Sequence, residues 1–154
     1  MNRSPRPIRV LAVSSGGGHW IQLQRLKTAF QGHDIRYATV GPCDTSGVAP
    51  APVQLIPDAN AKTPLRMAWL ILSIGWLVLR MRPVVVITTG AAPGYWAIRW
   101  GRLLGARTVF IDSIANAEQL SLSGRLAVKH ADVTLTQWSD LARQDGPQFW
   151  GAVV

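Results

Sequence analysis

The sequence predicts an α/β fold: a single Rossmann-like domain in which a parallel sheet is covered by helices on both faces. Three observations predict it. Short apolar runs rich in β-branched residues alternate with stretches of helical periodicity, an order typical of parallel βαβ units. The clearest run, VVVIT at residues 84–88, has the composition of a buried strand. The length of 154 residues suits one core, so residues 1–154 are assigned to a single domain.

The apolar runs predict six strands, and the periodic stretches between them predict helices. The strands are expected at residues 8–13, 35–40, 53–56, 84–88, 108–111 and 133–136. The helices are expected at residues 20–30, 65–81, 95–104 and 122–130, with a short helical turn at 138–143. Pro83 and Gly105 end the second and third helices. Three prolines and two glycines between residues 41 and 52 predict a loop.

The composition excludes several classes of protein. A hydrophobic fraction of 48% excludes a disordered chain. The single cysteine, Cys43, excludes an internal disulfide framework and a cysteine-based zinc cluster. The apolar run after Arg9 is short and leads into glycines, so we expect no export signal. These features favour the reducing cytosol.

The charge of the chain favours an anionic partner. Lys and Arg number 16 against 8 Asp and Glu, a net charge of +8, and lysine occurs only at positions 27, 62 and 129. Arginine matches the geometry of phosphate and carboxylate groups, so nucleic acid, anionic lipid and a diphosphate-bearing substrate all fit. We disfavour nucleic acid, because the arginines are dispersed and form no basic stripe on a predicted helix.

A glycine-rich loop, SSGGGH at residues 14–19, joins the first strand to the first helix. Backbone N–H groups at Ser15, Gly16, Gly17 and Gly18 could approach a bound anion, because glycines leave room and a helix N-terminus carries partial positive charge. The loop is neither the dinucleotide fingerprint nor a P-loop. A tight turn without a ligand is the alternative.

His19 closes this loop at the carboxyl edge of the predicted sheet, where ligands bind in open α/β folds. An imidazole titrates near neutral pH, so His19 is a candidate general base. The alternative is a histidine at the start of a helix that only hydrogen-bonds the loop.

A second loop of small residues, TGAAPG at residues 89–94, follows the strand at 84–88. Two such loops at one sheet edge could hold the two phosphates of a diphosphate between them. Thr89, Gly90 and Gly94 are therefore candidate diphosphate-binding residues. An ordinary packing turn is the alternative.

A carboxylate and a hydroxyl, Asp112 and Ser113, come at the end of the next strand, and Asn116 follows them. We expect Asp112 to lie in the ligand crevice and to orient the acceptor or His19, with Ser113 and Asn116 as further acceptor contacts. The alternative is an aspartate that caps a helix or a turn.

The helix expected at 65–81 contains an uncharged stretch flanked by arginines. Its candidate membrane residues are Trp69, Trp76, Arg66, Arg80 and Arg82. The thirteen residues 67–79 span about 20 Å as a helix, short of the roughly 20 residues that a bilayer crossing needs. Tryptophans between arginines fit a helix that lies in the headgroup region. A crossover helix buried under the sheet is the alternative, and one helix can do both.

Four segments, in this order, resemble the PssD-type proteins of bacterial polysaccharide biosynthesis: SSGGGHWIQL, ITTGAAPG, FIDSIANAEQLSLSG and KHADVTLTQW. These proteins are related to the membrane-anchoring subunit of the eukaryotic dolichol-linked N-acetylglucosaminyltransferase. The resemblance runs from about Arg9 to Val154. It implies a GT-B glycosyltransferase split between two chains, of which this is the N-terminal, acceptor-side half, and a partner chain that binds the UDP-sugar.

The family is also similar to the single-chain peptidoglycan transferase MurG, whose first loop likewise ends in Gly-Gly-His. That similarity matches residues 16–19 and 90–94 to the two acceptor-side loops. The length of 154 residues agrees with an enzyme split between two chains, because one Rossmann-like domain cannot form a two-domain cleft. Two features depart from the family. Many relatives carry Glu-Ser and Ala-Arg at positions 112–113 and 115–116, and the eukaryotic subunit begins with a transmembrane helix that we do not expect here.

The resulting hypothesis is an acceptor-binding, membrane-associated subunit of an inverting, metal-independent glycosyltransferase without a cofactor. It would move a sugar from a UDP-sugar to a polyprenyl-diphosphate-linked acceptor in surface polysaccharide biosynthesis, peripherally at the cytoplasmic face of the inner membrane. His19 would be the general base, Asp112 would orient, and the glycine loops with nearby arginines would hold the diphosphate. The alternatives are a non-catalytic membrane adaptor that recruits a complete enzyme and a basic nucleotide-binding Rossmann domain.

Overall fold

The computed structural model describes residues 6–153, so residues 1–5 and 154 of the predicted domain lie outside the described residues. Seven strands form one parallel sheet. They are β1 (Arg9–Ser14), β2 (Asp34–Val40), β3 (Val53–Ile56), β4 (Val85–Thr88), β5 (Arg107–Ile111), β6 (Val133–Thr136) and β7 (Gln148–Phe149). Their order across the sheet is β3-β2-β1-β4-β5-β6-β7.

Helices connect the strands. The α-helices are α1 (Gly18–Arg25), α2 (Pro64–Met81), α3 (Ala91–Leu103) and α4 (Leu122–Ala127). Short 3-10 helices lie at Leu26–Phe30, Ser46–Val48 and Ser139–Leu141. The predicted class, an α/β domain built on a parallel sheet, is confirmed.

The core has two layers because successive side chains of a strand point to opposite faces of the sheet. Leu11 and Val13 of β1 pack in the larger cluster with residues of α2 and α3. Val10 and Ala12 pack in the smaller cluster on the other face, which includes Trp20 of α1. The sheet therefore separates α1 from α2 and α3.

The helix α2 has two different faces. Leu70, Ile74, Leu77 and Val78 are buried, at the spacing of one helical face. An apolar stripe on the opposite face is exposed; its residues are Leu65, Trp69, Leu72, Trp76 and Leu79. One face of this helix thus packs in the core, and the other leaves large apolar side chains in solvent.

The structure corrects several predicted boundaries. The helix predicted at 20–30 is divided into α1 and a 3-10 turn, and α4 ends at Ala127, where turns replace the predicted last residues. The helix α3 begins four residues before its predicted start because Gly90, with a φ of 126°, turns the chain immediately after β4. The sequence analysis missed β7, since two residues are too short to show a periodicity.

Asp132 ties α3 to the sheet from the loop before β6. Its carboxylate accepts hydrogen bonds from the backbone N–H and the hydroxyl of Thr108, at 2.8 and 2.9 Å, and pairs with Arg102 at 2.8 Å. Burial alone would raise the pKa of Asp132, but the Thr108 hydrogen bonds and the charges of Arg102 and Arg107 together lower it.

We predict that Asp132→Asn lowers the free energy of unfolding at pH 7 by about 1–3 kcal/mol, because the change removes a charged acceptor from these partners. The folded-state pKa lies below the unfolded one, so the carboxylate's contribution is present above the ordinary carboxyl range and is lost as pH falls through the folded pKa. In urea unfolding, the gap between wild type and variant should shrink below about pH 4. Asp58→Asn, at an exposed position, is the control; a gap that stays constant with pH would contradict the assignment.

Candidate functional site

The candidate site lies where the strand order reverses. The strands β2 and β3 extend the sheet on one side of β1, while β4 and the later strands lie on the other side. The loops after β1 and β4 therefore lead to helices on opposite faces and leave a crevice at the carboxyl ends of the two strands. Ligands of open α/β folds bind at such a switch point.

Two reciprocal hydrogen bonds join the loops at this crevice. The ring Nδ1 of His19 lies 2.9 Å from the backbone carbonyl oxygen of Thr89. The hydroxyl of Thr89 donates to the backbone carbonyl of His19 at 2.7 Å. The structure therefore brings together the two loops that the sequence analysis predicted to share a site.

The first of these bonds sets the tautomer of His19. A carbonyl oxygen can only accept, so Nδ1 must carry the proton in this hydrogen bond. The neutral ring then has its lone pair on Nε2, the nitrogen that can accept a proton from another group. The side chain is half-buried, which fixes the ring while leaving part of it accessible.

Gly90 makes room for the imidazole. A Cβ atom at this position would lie 3.0 Å from Cε1 of His19, and the φ of 126° is one that side chains rarely adopt. Its N–H is held by the hydroxyl of Thr88 at 3.0 Å. The next residue, Ala91, also has a positive φ, 61°, and such strained backbone occurs preferentially at functional sites.

The N-termini of α1 and α3 both point at the crevice. Gly17 is the N-cap of α1, with a φ of 65°, and Gly17 and Gly18 are exposed. In α3 the helical ladder leaves the N–H groups of Ala91 and Ala92 unused. Two helix N-termini beside one imidazole form an electropositive crevice suited to an anion.

Ser15 and Gly16 lie at the base of this crevice. The hydroxyl of Thr39 donates to the carbonyl of Ser15 at 3.2 Å. A Cβ on Gly16 would lie 3.3 Å from the carbonyl oxygen of Val40. These two residues hold the loop against β2, and Gly17 and Gly18 are the more accessible part of it.

Gly94 is not part of the second loop, and the predicted loop boundary is wrong. The residue is buried in the first turn of α3. A Cβ there would overlap the hydroxyl of Thr88. Gly94 allows α3 to pack against β4, and the loop itself is limited to Thr89 and Gly90.

Asp112 has a different position from the one predicted. Its carboxylate is 1% exposed and accepts from the N–H and hydroxyl of Ser121, at 2.8 and 2.7 Å, and from the amide of Asn116 at 3.2 Å. The predicted contact with His19 is not formed, since Nδ1 of that ring faces Thr89. Asp112 instead closes the loop between β5 and α4, the capping alternative that the sequence left open.

The other two residues predicted to contact the acceptor, Ser113 and Asn116, form hydrogen bonds within the same loop. The hydroxyl of Ser113 accepts from the N–H of Ala115 at 3.3 Å, and Asn116 donates to Asp112. Ser121 caps α4 by accepting from the N–H of Gly124 at 2.9 Å. The side-chain hydrogen bonds of Asp112, Ser113 and Asn116 are thus made within the loop itself.

Sequence reasoning missed Gln137, which follows β6. It is buried, donates to the carbonyl of Asp112 at 2.9 Å, and accepts from the N–H of Val153 at 2.7 Å. It thus connects the loop after β5 to the C-terminal segment. Its position directly after a predicted strand was the available signal.

The predicted membrane residues lie on α2 and at its end. Trp69 and Trp76 are 62% and 65% exposed, and Arg66, Arg80 and Arg82 are exposed near the two ends of the helix. The 18-residue helix has a mean hydropathy of 1.3, enough by length and composition to cross a membrane. Core helices pass the same test, and the buried face of α2 packs in the core.

Comparison with known families identifies the chain. The model of the family described as "Oligosaccharide biosynthesis protein Alg14 like" matches residues 56–153, more than half of the chain. The chain belongs to the Alg14-like family. The matched residues contain Thr89, Gly90 and Asp112, and His19 lies before them.

A curated relative is the "UDP-N-acetylglucosamine transferase subunit ALG14" of Eremothecium gossypii. It is 39% identical over 83 residues, which cover 49% of this chain and 37% of the relative. The chain therefore matches well under half of that protein's length.

Two solved structures show the same fold. Acinetobacter baumannii MurG matches 93% of this chain and 45% of its own, with a TM-score of 0.73 and 13% identity. The UDP-N-acetylglucosamine 2-epimerase of Rickettsia bellii matches 95% of this chain and 45% of its own, with a TM-score of 0.72 and 12% identity. Each match covers about half of the solved chain, and the likeness confirms the predicted fold, which this chain shares with part of the glycosyltransferase MurG.

We predict that His19 is held in the tautomer with the proton on Nδ1. Long-range ¹H–¹⁵N NMR of the neutral ring should show a protonated Nδ1 and an unprotonated Nε2. Gly90→Ala should displace the ring and remove this preference, because its Cβ would lie 3.0 Å from the imidazole. Gly105→Ala is the matched control, since φ is also positive there but nothing lies within 4 Å. A wild-type ring protonated on Nε2 would contradict the prediction.

Proposed function

We propose that this Alg14-like chain is the acceptor-binding, membrane-associated subunit of a two-chain glycosyltransferase. Its complex would move a sugar from a UDP-sugar to a polyprenyl-diphosphate-linked acceptor, inverting the anomeric centre, in surface polysaccharide biosynthesis. The observation that carries the proposal is the oriented imidazole of His19 between two helix N-termini. Family membership supports a subunit of a transferase, since the curated relative is named as one.

His19 is the general base of the proposed reaction. Its Nε2 lone pair accepts the proton of the acceptor hydroxyl as that oxygen attacks the anomeric carbon of the donor sugar and the bond to UDP breaks. The Thr89 carbonyl holds the ring in the tautomer that this step requires. Base catalysis of this kind typically contributes about 10² to 10⁴-fold to the rate.

The diphosphate of the acceptor is proposed to bind at the exposed N–H groups of Gly17 and Gly18 and at the start of α3. Helix N-termini favour negative charge there, and the net charge of +8 adds a favourable field over the whole chain. Thr89 and Gly90 then act mainly by positioning His19. Asp112 then acts by fixing the conformation of its loop, because its carboxylate is buried and hydrogen-bonded to Ser121.

A separate donor-binding chain completes the site. The matches to MurG and to the 2-epimerase cover 45% of those proteins, which supports a chain equivalent to about half of such an enzyme. The curated relative's designation as a subunit supports a partner chain. We therefore propose that the UDP-sugar binds on the partner and that transfer requires both chains.

Membrane attachment is proposed to be peripheral, at the cytoplasmic face of the inner membrane. The support is the exposed stripe of α2 between arginines, opposite a face that packs in the core. A helix held against the sheet along its length lies flat on a bilayer more readily than it crosses one.

We predict that His19→Ala lowers kcat of the assembled two-chain enzyme by about a hundredfold or more, because the proton acceptor is lost. The acid limb of the pH–rate profile should disappear with it, while partner affinity stays near wild type. His33→Gln, just before β2 at the opposite edge of the sheet, is the control. An unchanged kcat would reject the catalytic role and favour a non-catalytic adaptor.

We predict that Trp69→Glu with Trp76→Glu releases the folded chain from anionic liposomes, because two apolar contacts become charged at the bilayer surface. Flotation with phosphatidylglycerol vesicles measures the effect. Leu55→Glu with Trp150→Glu adds the same charge at exposed apolar positions away from α2 and should retain binding. Resistance of the wild type to extraction by high salt and alkaline carbonate would show that attachment is not peripheral.

A further inference from the structure

A groove with a volume of about 360 Å³ lies between α2 and α3. Its wall is apolar, with Ile71 of α2 facing Trp96, Trp100 and Leu103 of α3. The indole of Trp100 donates to the carbonyl of Ile71 at 3.0 Å, so the two helices form a continuous wall. On α3 the lining runs from Trp96 to Leu103, about 7.5 to 18 Å along the helix from Ala91, so the groove lies further along α3 than the crevice at His19.

The polar rim of the groove is cationic. Arg99 donates to the hydroxyl of Tyr95 at 3.1 Å and lies 3.4 Å from Nε2 of His130. Arg102 also lines the groove, but its charge is paired with Asp132. Within residues 6–153 that is the one ion pair, so Arg99 has no carboxylate partner there.

Asp132 balances the charge of Arg102, but within residues 6–153 no carboxylate pairs with Arg99, so the rim keeps a positive potential at that residue. The pKa of His130 is lowered, first by burial and then by the charges of Arg99, Lys129 and Arg102. Neighbouring cations disfavour the protonated ring, and a bound anion would offset their charge. An anion is therefore the ligand that the exposed guanidinium of Arg99 lacks.

We propose that this groove binds an anionic phospholipid, with the phosphate at Arg99 and His130 and an acyl chain along Trp96 and Trp100. Such a lipid joins an anion to an apolar chain, as the groove joins cations to an apolar wall. Inorganic phosphate would leave the wall in water, and a lipid without net charge would leave the cations unbalanced.

The position of the groove favours a lipid of the bilayer. Ile71, in its wall, is adjacent to Leu72 of the exposed α2 stripe, so the groove opens beside the surface proposed to lie on the membrane. The inference rests on that proposed attachment for its orientation. The inference extends the proposed attachment by naming a site for a lipid headgroup, which the exposed stripe of α2 alone does not provide.

The test is NMR titration of the full chain with soluble dihexanoyl phosphatidylglycerol, with dihexanoyl phosphatidylcholine and inorganic phosphate in parallel. We expect the indole signals of Trp96 and Trp100 to shift with the anionic lipid, and affinity to be roughly tenfold weaker for the zwitterionic one. Arg99→Gln should abolish that difference. Arg25→Gln, at an exposed arginine on the other face of the sheet, should preserve it.

Three results would overturn the proposal. Equal binding of the two lipids would show that charge plays no part, and competition by inorganic phosphate at similar concentration would reduce the groove to a phosphate site. Arg99-dependent shifts with farnesyl diphosphate but not with phosphatidylglycerol would assign the groove to the acceptor chain. The variant with Trp69→Glu and Trp76→Glu should keep short-chain lipid binding after losing vesicle binding, which separates the groove from the general attachment of α2.

Discussion

The pairing of β1 with β4 is the constraint on which the site depends. The chain builds β2 and β3 on one side of β1, and α2 then carries it back so that β4 pairs on the other side. This return brings together His19 and Thr89, which are 70 residues apart in sequence, and sends α1 and α3 to opposite faces. The helix that makes the crossing also carries the exposed apolar stripe. The crevice and the proposed membrane face are therefore set by one connection.

The sequence predicted the parts of the fold that leave a periodic or compositional signal. The apolar runs predict six strands, and the glycines that follow the runs at 8–13 and 84–88 predict the two edge loops. The sequence leaves the contacts of Gly94 and Asp112 undecided, because both residues follow strands and only the packing of α3 and α4 shows which way they face. A small residue near a loop gives the same sequence pattern whether it leaves room for a ligand or for a packed helix.

The fold by itself does not determine the reaction. MurG and a UDP-N-acetylglucosamine 2-epimerase match this chain about equally well, at TM-scores of 0.73 and 0.72. What favours transfer is more local: membership of a family whose named relative is a transferase subunit, and an imidazole whose tautomer is fixed by the neighbouring loop. The family match begins at residue 56, so the role proposed for His19 rests on the geometry of its ring and not on the family match.

That geometry differs from a histidine oriented by a carboxylate. The Thr89 carbonyl fixes the imidazole ring but brings no negative charge, whereas a carboxylate would also stabilise the imidazolium formed when the base takes a proton. Asp112 does not supply that charge, because its carboxylate is committed to Ser121 and Asn116. In the proposed reaction the nearest compensating charge would be the bound diphosphate, held at the same helix N-termini. Proton transfer would then be favoured only with the acceptor in place, so the substrate itself would complete the base.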